Sequence, residues 1–151
     1  MASVARPERR SQADRRDEAE QKMLRAAVRL VAEQGLERIT LTDVGEAAGY
    51  SRGLPAHYFG NKAGLIVQLA QHMIDEFGRA LDGDTYHQPG LARLLEIVAF
   101  YLESSQRDVL GTRALFVLLG EGISNPLISD KLAALNMRSV EAIAVQIRAA
   151  I

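Results

Sequence analysis

The chain has 151 residues, 18 Lys and Arg against 19 Asp and Glu, and no cysteine, for a net charge of −1. An apolar fraction of 48% with 25% charged residues is that of a soluble globular chain, one ordinary domain or two small ones sharing a core. Without cysteine there is no disulfide scaffold, thiolate catalysis or Cys-ligated metal, and without a long apolar run there is neither a secretory signal nor a membrane span, so a cytoplasmic protein with no membrane partner is expected.

Residues 1–16 are polar, carry five arginines against Glu8 and Asp14, and show no hydrophobic periodicity, which reads as a flexible basic arm. The charge is uneven along the chain: residues 1–65 hold 11 basic and 9 acidic side chains (+2), and residues 66–151 hold 7 and 10 (−3). Such asymmetry points to a basic face, so near-neutrality overall does not exclude a nucleic-acid partner.

A helix is expected to open near Asp17, where Asp17 and Glu20 have capping-box spacing, and to end at Gly35. Met23, Ala27, Leu30 and Val31 give it one apolar stripe. Two very short helices follow. Thr42 is placed to cap a segment Asp43–Ala48 and Ser51 a second one running towards Tyr58 or Phe59. Only Gly49, Tyr50 and Ser51 separate them, the tight glycine-containing turn of a helix-turn-helix.

Asn61 then caps a long helix with Leu65, Leu69, Met73, Phe77 and Leu81 in an i, i+4 row, about 30 Å in length at 1.5 Å per residue. A loop at 82–88 leads to Pro89, which suits a first helical position. Further helices carry Leu91, Leu94, Leu95, Val98 and Leu102, then residues 108–119 up to Gly120 and Gly122, and finally, after Asn125-Pro126, an apolar face from Ile128 to Ile147. No stretch alternates with period two, so the fold class is all-α. The domains expected are the arm at 1–16, a helix-turn-helix DNA-binding domain at 17–60 and a helical effector-binding and dimerisation domain at 61–151. The last helix stays apolar to Ile151, which suggests truncation or a face waiting for a partner.

The second short helix is dense in groups that reach a duplex: Arg52, His57 and Tyr58. Recognition helices read bases mainly through their N-terminal residues while flanking groups fix phosphates. Arg52 and Lys62 each sit in a first helical turn, where a cation is mildly disfavoured unless an anion binds there. Enzymatic patterns are lacking: the histidines His57, His72 and His87 form no metal-ligand pair, and no nucleophile elbow or phosphate loop occurs. His72 and Glu76 share a helix face and read as a surface contact. Asp82 and Asp84 begin like a calcium loop whose later ligands are missing. No catalytic residue, metal or cofactor is expected. Phe77, Phe100, Tyr101 and Phe116 are the candidates to line a ligand cavity, with an apolar or weakly polar ligand since no buried charge is evident.

The stretch Leu41-Thr42, Val44, Ala47-Ala48-Gly49-Tyr50-Ser51, Gly53, His57-Tyr58-Phe59, Lys62 and Leu65 resembles the TetR (tetracycline-repressor-like) family of bacterial transcriptional regulators. The likeness is specific over residues 20–65 and extends more weakly to residue 151. It implies a three-helix DNA-binding head, coupled by the long fourth helix to a ligand-binding body. It further implies a homodimer on a palindromic double-stranded operator, a repressor released when a small-molecule effector binds. Carried over, Thr42, Tyr58 and Lys62 match phosphate-contacting positions, and Arg52, Leu54, Pro55 and His57 match groove-facing ones, with Ser51 at the head of the recognition helix.

The sequence departs from the pattern at Gly45, where alanine is common, and at Pro55-Ala56, which replace an apolar residue and a tyrosine. Glycine loosens the first short helix by up to about 1 kcal/mol. Proline moves the start of the second towards Leu54 or opens it as a tighter turn. Relative to the family, the C-terminal dimerisation helices are expected to be lacking. The alternative reading is a helical ligand-binding or protein-interaction module that has lost DNA binding.

Overall fold

The computed structural model describes residues 11–82 and 89–151. Among them are seven helices and no strand: α1 (Gln12–Gln34), α2 (Leu41–Ala47), α3 (Leu54–Phe59), α4 (Lys62–Asp82), α5 (Leu91–Arg107), α6 (Val109–Glu121) and α7 (Pro126–Ala150). The all-α expectation holds; α1, α2 and α5 start elsewhere than expected, and α3 starts at Leu54, where its proline was expected to move it.

Helix α1 opens five residues before Asp17. The Ser11 hydroxyl accepts from the Asp14 N–H at 3.0 Å, and the Asp14 carboxylate accepts from the Ser11 N–H at 2.9 Å. This capping box wins over the one at Asp17 because the intervening Gln, Ala and Arg residues are good helix formers. Residues 12–16 of the expected arm are therefore helical; residues 1–10 lie outside the described residues. Thr40, not Thr42, caps α2, again through a reciprocal pair with Asp43 at 3.1 and 3.0 Å. Helix α3 starts at Leu54 after Gly53, with no side-chain cap from Ser51. Pro89 lies in a turn, and α5 begins at Leu91.

The other boundaries follow their caps. The Asn61 side chain accepts from Gly64 N–H at 2.9 Å at the head of α4. Asp108 does the same for Gly111 at 2.9 Å, and Asn125 for Leu127 at 3.2 Å. Helix α6 runs through Gly120 and is closed by Gly122. The loop expected at 82–88, with the Asp84 of the calcium-like pattern, lies outside the described residues beyond Asp82.

The core is one continuous cluster. Met23, Val31, Ile39, Val44, Leu65, Leu69, Leu118 and Ile128 are all essentially inaccessible. Helix α1 lies at its centre, packed on α2, α4 and α6. Leu65 and Leu69 of α4 share this core with the head, whereas Met73 and Phe77 further along are only half-buried. Lys131 of α7 donates to the Gln71 side-chain oxygen at 2.7 Å, tying the last helix to α4. At the far end, large apolar side chains of α5 and α7 stand exposed, among them Leu91, Leu95, Leu102, Met137 and Val140.

His72 is a correction: it is buried on α4 and is no surface partner of Glu76. Burial holds its imidazole below the ordinary 6.5, aided by Arg79 and Arg25 and opposed by Glu76 and Asp75. Because the folded-state value is lowered, the unfolded chain takes up a proton that the folded chain resists. Thermal stability should therefore hold above pH 6.5 and decline as the pH falls below it. A His72→Gln variant should flatten that decline in melts recorded across the range. Equal declines in both proteins would show that His72 is not its source.

Candidate nucleic-acid interface and effector cavity

The helix-turn-helix is built on a missing side chain. A Cβ on Gly45 would meet the Ser51 carbonyl at 2.7 Å and the Pro55 ring carbons at 3.1 and 3.2 Å. Glycine here lets the turn and the proline ring close onto α2, with the Tyr50 N–H donating to the Gly45 carbonyl at 2.8 Å. Pro55 is consequently buried, which corrects its placement as a groove-facing residue. It sits in the first turn of α3, where its missing N–H costs nothing.

The turn before α3 leaves Arg52 and Gly53 to solvent, and α3 itself leaves Ala56 and His57, with Leu54 half-buried against the core. Ala56 was not among the expected site residues; it is exposed on α3 beside His57. Its methyl suits contact with a thymine methyl in a major groove. Ser51 is exposed in the turn, and Thr42 is exposed in the first turn of α2.

Three of the expected contact residues already have protein partners. Arg52 forms an ion pair with Glu46 across the turn, both side chains largely exposed. Such a pair is worth about 0–1 kcal/mol, weak enough for a nucleic-acid phosphate to displace it. The Lys62 ammonium donates to the Glu37 carbonyl at 2.6 Å, so it also braces the α1–α2 connection. The Tyr58 ring packs edge-on against His57, centroids 5.9 Å apart, with the Arg16 guanidinium 5.7 Å from its centroid. Lys22 lies over Tyr50 in the same way at 5.2 Å.

The second site is a cavity of about 790 Å³ between α4, α5 and α6. All four aromatics expected there line it. Phe77 stands 5.6 Å from Phe100 and 5.3 Å from Tyr101, while Phe116, 67% exposed, lies at the open side. The lining also carries Glu76, Glu96, Glu103 and Asp108 against Arg107, which the sequence reading missed. Their signal was positional, since Glu96 and Glu103 flank Phe100 at helical spacing. The cavity is thus aromatic and acidic rather than merely apolar. Among the described residues no cluster of His, Asp and Glu is arranged to hold a metal, and no helix is long and apolar enough to cross a membrane.

A helix-turn-helix with Arg52 exposed in its turn and His57 on its second helix, joined by one long helix to a body with a cavity, has the architecture of helix-turn-helix DNA-binding proteins. Residues 23–69 match the family described as bacterial regulatory proteins, tetR family. HTH-type transcriptional regulator BetI of Brucella canis is 30% identical over 89 residues, covering 56% of this chain and 43% of that protein. The chain therefore spans less than half the length of this relative. A putative TetR-family regulator from Rhodococcus sp. superposes with a TM-score of 0.73 at 22% identity, over 85% of this chain and 69% of that one. A putative transcriptional regulator from Saccharomonospora viridis, solved in complex with choline, superposes with a TM-score of 0.76 at 22% identity, over 87% and 69%. Residues 23–69 thus match the tetR family of regulatory proteins, and the fold that carries this segment is TetR-like. The seven helices give no support to the expectation that C-terminal dimerisation helices are lacking.

Proposed function

We propose that the protein is a sequence-specific transcriptional regulator, a cytoplasmic repressor that leaves its operator when a small molecule binds. The observation that carries this reading is the head itself: the turn before α3 exposes Arg52 and α3 exposes His57, beside Tyr58 and Lys62, within the segment that matches the family. In this reading Arg52, Ala56 and His57 face the groove, and Thr42, Ser51, Tyr58 and Lys62 hold phosphates. A homodimer on a palindrome follows from the family likeness, and the exposed apolar side chains of α5 and α7 supply a surface for it.

The effector we propose is a small organic cation with a quaternary ammonium head, of the class to which choline belongs. Aromatic rings attract such a cation through their faces, and the lining adds four carboxylates, of which Glu76, Glu96 and Glu103 are ion-paired with Arg79, Arg93 and Arg107 and would exchange those partners for the ligand. The choline bound by the Saccharomonospora viridis relative agrees with this chemistry. Helix α4 joins both sites, with Leu65 and Leu69 in the core of the head and Met73 and Phe77 on the cavity. A ligand that favours one tilt of α4 would shift head spacing away from successive major grooves, a coupling of typically about 1–3 kcal/mol.

The test is fluorescence anisotropy with a labelled duplex from upstream of the protein's own gene. Affinity should fall steeply with salt, and Lys62→Ala should reduce the slope by about 1. Since Lys62 also holds the Glu37 carbonyl, the same variant should lose roughly 1 kcal/mol of stability, read from a melt. Binding that ignores salt, Lys62→Ala and Tyr58→Phe alike would sink this reading in favour of a helical ligand-binding or interaction module.

A further inference from the structure

Where the sequence suggests a loose arm, the structure has a helical turn laid against the recognition helix. Gln12, Ala13, Arg15 and Arg16 of α1 and His57 and Tyr58 of α3 together line a cleft of about 660 Å³. Among the described residues the lining holds two arginines and no carboxylate. Of the two acidic residues that flank the arginine pair, Asp14 is engaged with the Ser11 backbone in the capping box, and Asp17 is not part of the lining. Arg16 lies 5.7 Å from the centroid of Tyr58, inside the range at which a guanidinium is held by a ring face. A guanidinium stacked on a ring keeps its N–H donors pointing outward in its own plane, in the fork geometry that fits two oxygens of a phosphate.

We propose that Arg15 and Arg16 form a second phosphate clamp of the DNA interface, placed on α1 and continuous with His57 and Tyr58 on α3. The occupant is the sugar-phosphate backbone of the same duplex that α3 reads, because two of the cleft's lining residues, His57 and Tyr58, belong to that helix. This assignment rests on the DNA-binding reading above and adds to it. Helix α1 then acts as more than a core element: its buried face, through Met23, Ala27 and Val31, anchors the fold, and its exposed first turn grips the backbone. Arg16 also positions Tyr58, since the ring is held between His57 and the guanidinium. Tyr58 thus presents its hydroxyl from a fixed ring.

The experiment uses the full chain and two labelled duplexes of equal length, one from upstream of its gene and one of mixed sequence, across a salt series. For the Arg15→Ala/Arg16→Ala double variant the slope of log affinity against log salt should become shallower by about 1.8, one phosphate contact accounting for about 0.9. Affinity should drop by roughly tenfold or more on both duplexes alike, because phosphate contacts carry no sequence information. Arg16→Lys should regain the slope without regaining the whole affinity, since lysine lacks the planar fork. Melting temperatures should match the wild type, both side chains being exposed.

A double variant with unchanged slope and affinity, measured beside a wild type that binds with a steep slope, overturns the clamp and leaves the DNA-binding reading standing. A loss confined to the upstream duplex also overturns it, because that would be base readout. A wild type that binds neither duplex overturns the DNA-binding reading and the clamp together.

Discussion

Gly64→Ala should destabilise the protein, although glycine-to-alanine changes in helices are ordinarily favourable by up to about 1 kcal/mol. Gly64 lies in the first turn of α4, and a Cβ there would stand 2.1 Å from the carbonyl oxygen of Phe59 and 3.3 Å from its carbon. These are backbone atoms, so no side chain can swing aside, and the corner between α3 and α4 must open. Overpacking of this kind costs about 1–3 kcal/mol, enough to reverse the propensity gain. At about 2–4 °C per kcal/mol for a chain of this size, a melt resolves the net effect. The corner also carries Tyr58 on one side and Lys62 on the other, so duplex affinity should fall with stability. Gly45→Ala should behave similarly through the Ser51 carbonyl, 2.7 Å from its new Cβ. Gly53→Ala is the control: nothing lies within 4 Å of a Cβ there, and its melting point should hold. A Gly64→Ala protein that melts at or above the wild type would refute the close approach.

The two departures from the family pattern, Gly45 and Pro55, read separately as a weakened helix and an obstructed one. In space they are one contact, each shaped to the other, and pairwise complementarity of this kind is invisible to residue-by-residue reading. The helix order, the core stripe of α1 and the row Leu65, Leu69 on α4 were legible because periodicity and glycine stops are local signals. Helix starts were less so. Ser11 with Asp14 and Asp17 with Glu20 both satisfy the capping spacing, and Thr40 lies three before Asp43 while Thr42 merely precedes it.

The aromatics of the cavity could be named from sequence as candidates. Its acidic character could not, because Glu76, Glu96 and Asp108 meet only when α4, α5 and α6 are packed together. The state of His72 was hidden for the same reason, since its burial, and the charge of Arg25 on α1 that acts on it, arise only when the helices are packed together.

Phe77→Leu should remove most of the affinity for the quaternary ammonium class proposed above. Phe77 makes the two shortest contacts of a three-ring cluster, 5.6 Å to Phe100 and 5.3 Å to Tyr101 against 6.1 Å between those two, so the cluster loses its tightest member with it. A cation over an aromatic face gains about 0.5–1 kcal/mol when exposed and about 2 when desolvated. Loss of that contact corresponds to roughly 2–30-fold in dissociation constant, towards the upper end where the cavity excludes water. Leucine rather than alanine keeps most of the volume, so the half-buried position is not left as a void.

For the wild type, tetramethylammonium at a hundredfold excess over its dissociation constant should add about 2.7 kcal/mol of stability, read as a rise in melting temperature. By reciprocity, whatever factor the cation takes from duplex affinity, the duplex must take from cation affinity, and the two titrations check each other. The decisive comparison is with a neutral carbon isostere, in which a tert-butyl group replaces the trimethylammonium head. Shape and apolar area are conserved, so only the charge differs. The carboxylates Glu76, Glu96, Glu103 and Asp108 and the ring faces all discriminate by charge, and the isostere should bind much more weakly. Equal stabilisation by both compounds would mean that the cavity takes apolar ligands and that its carboxylates serve the fold alone.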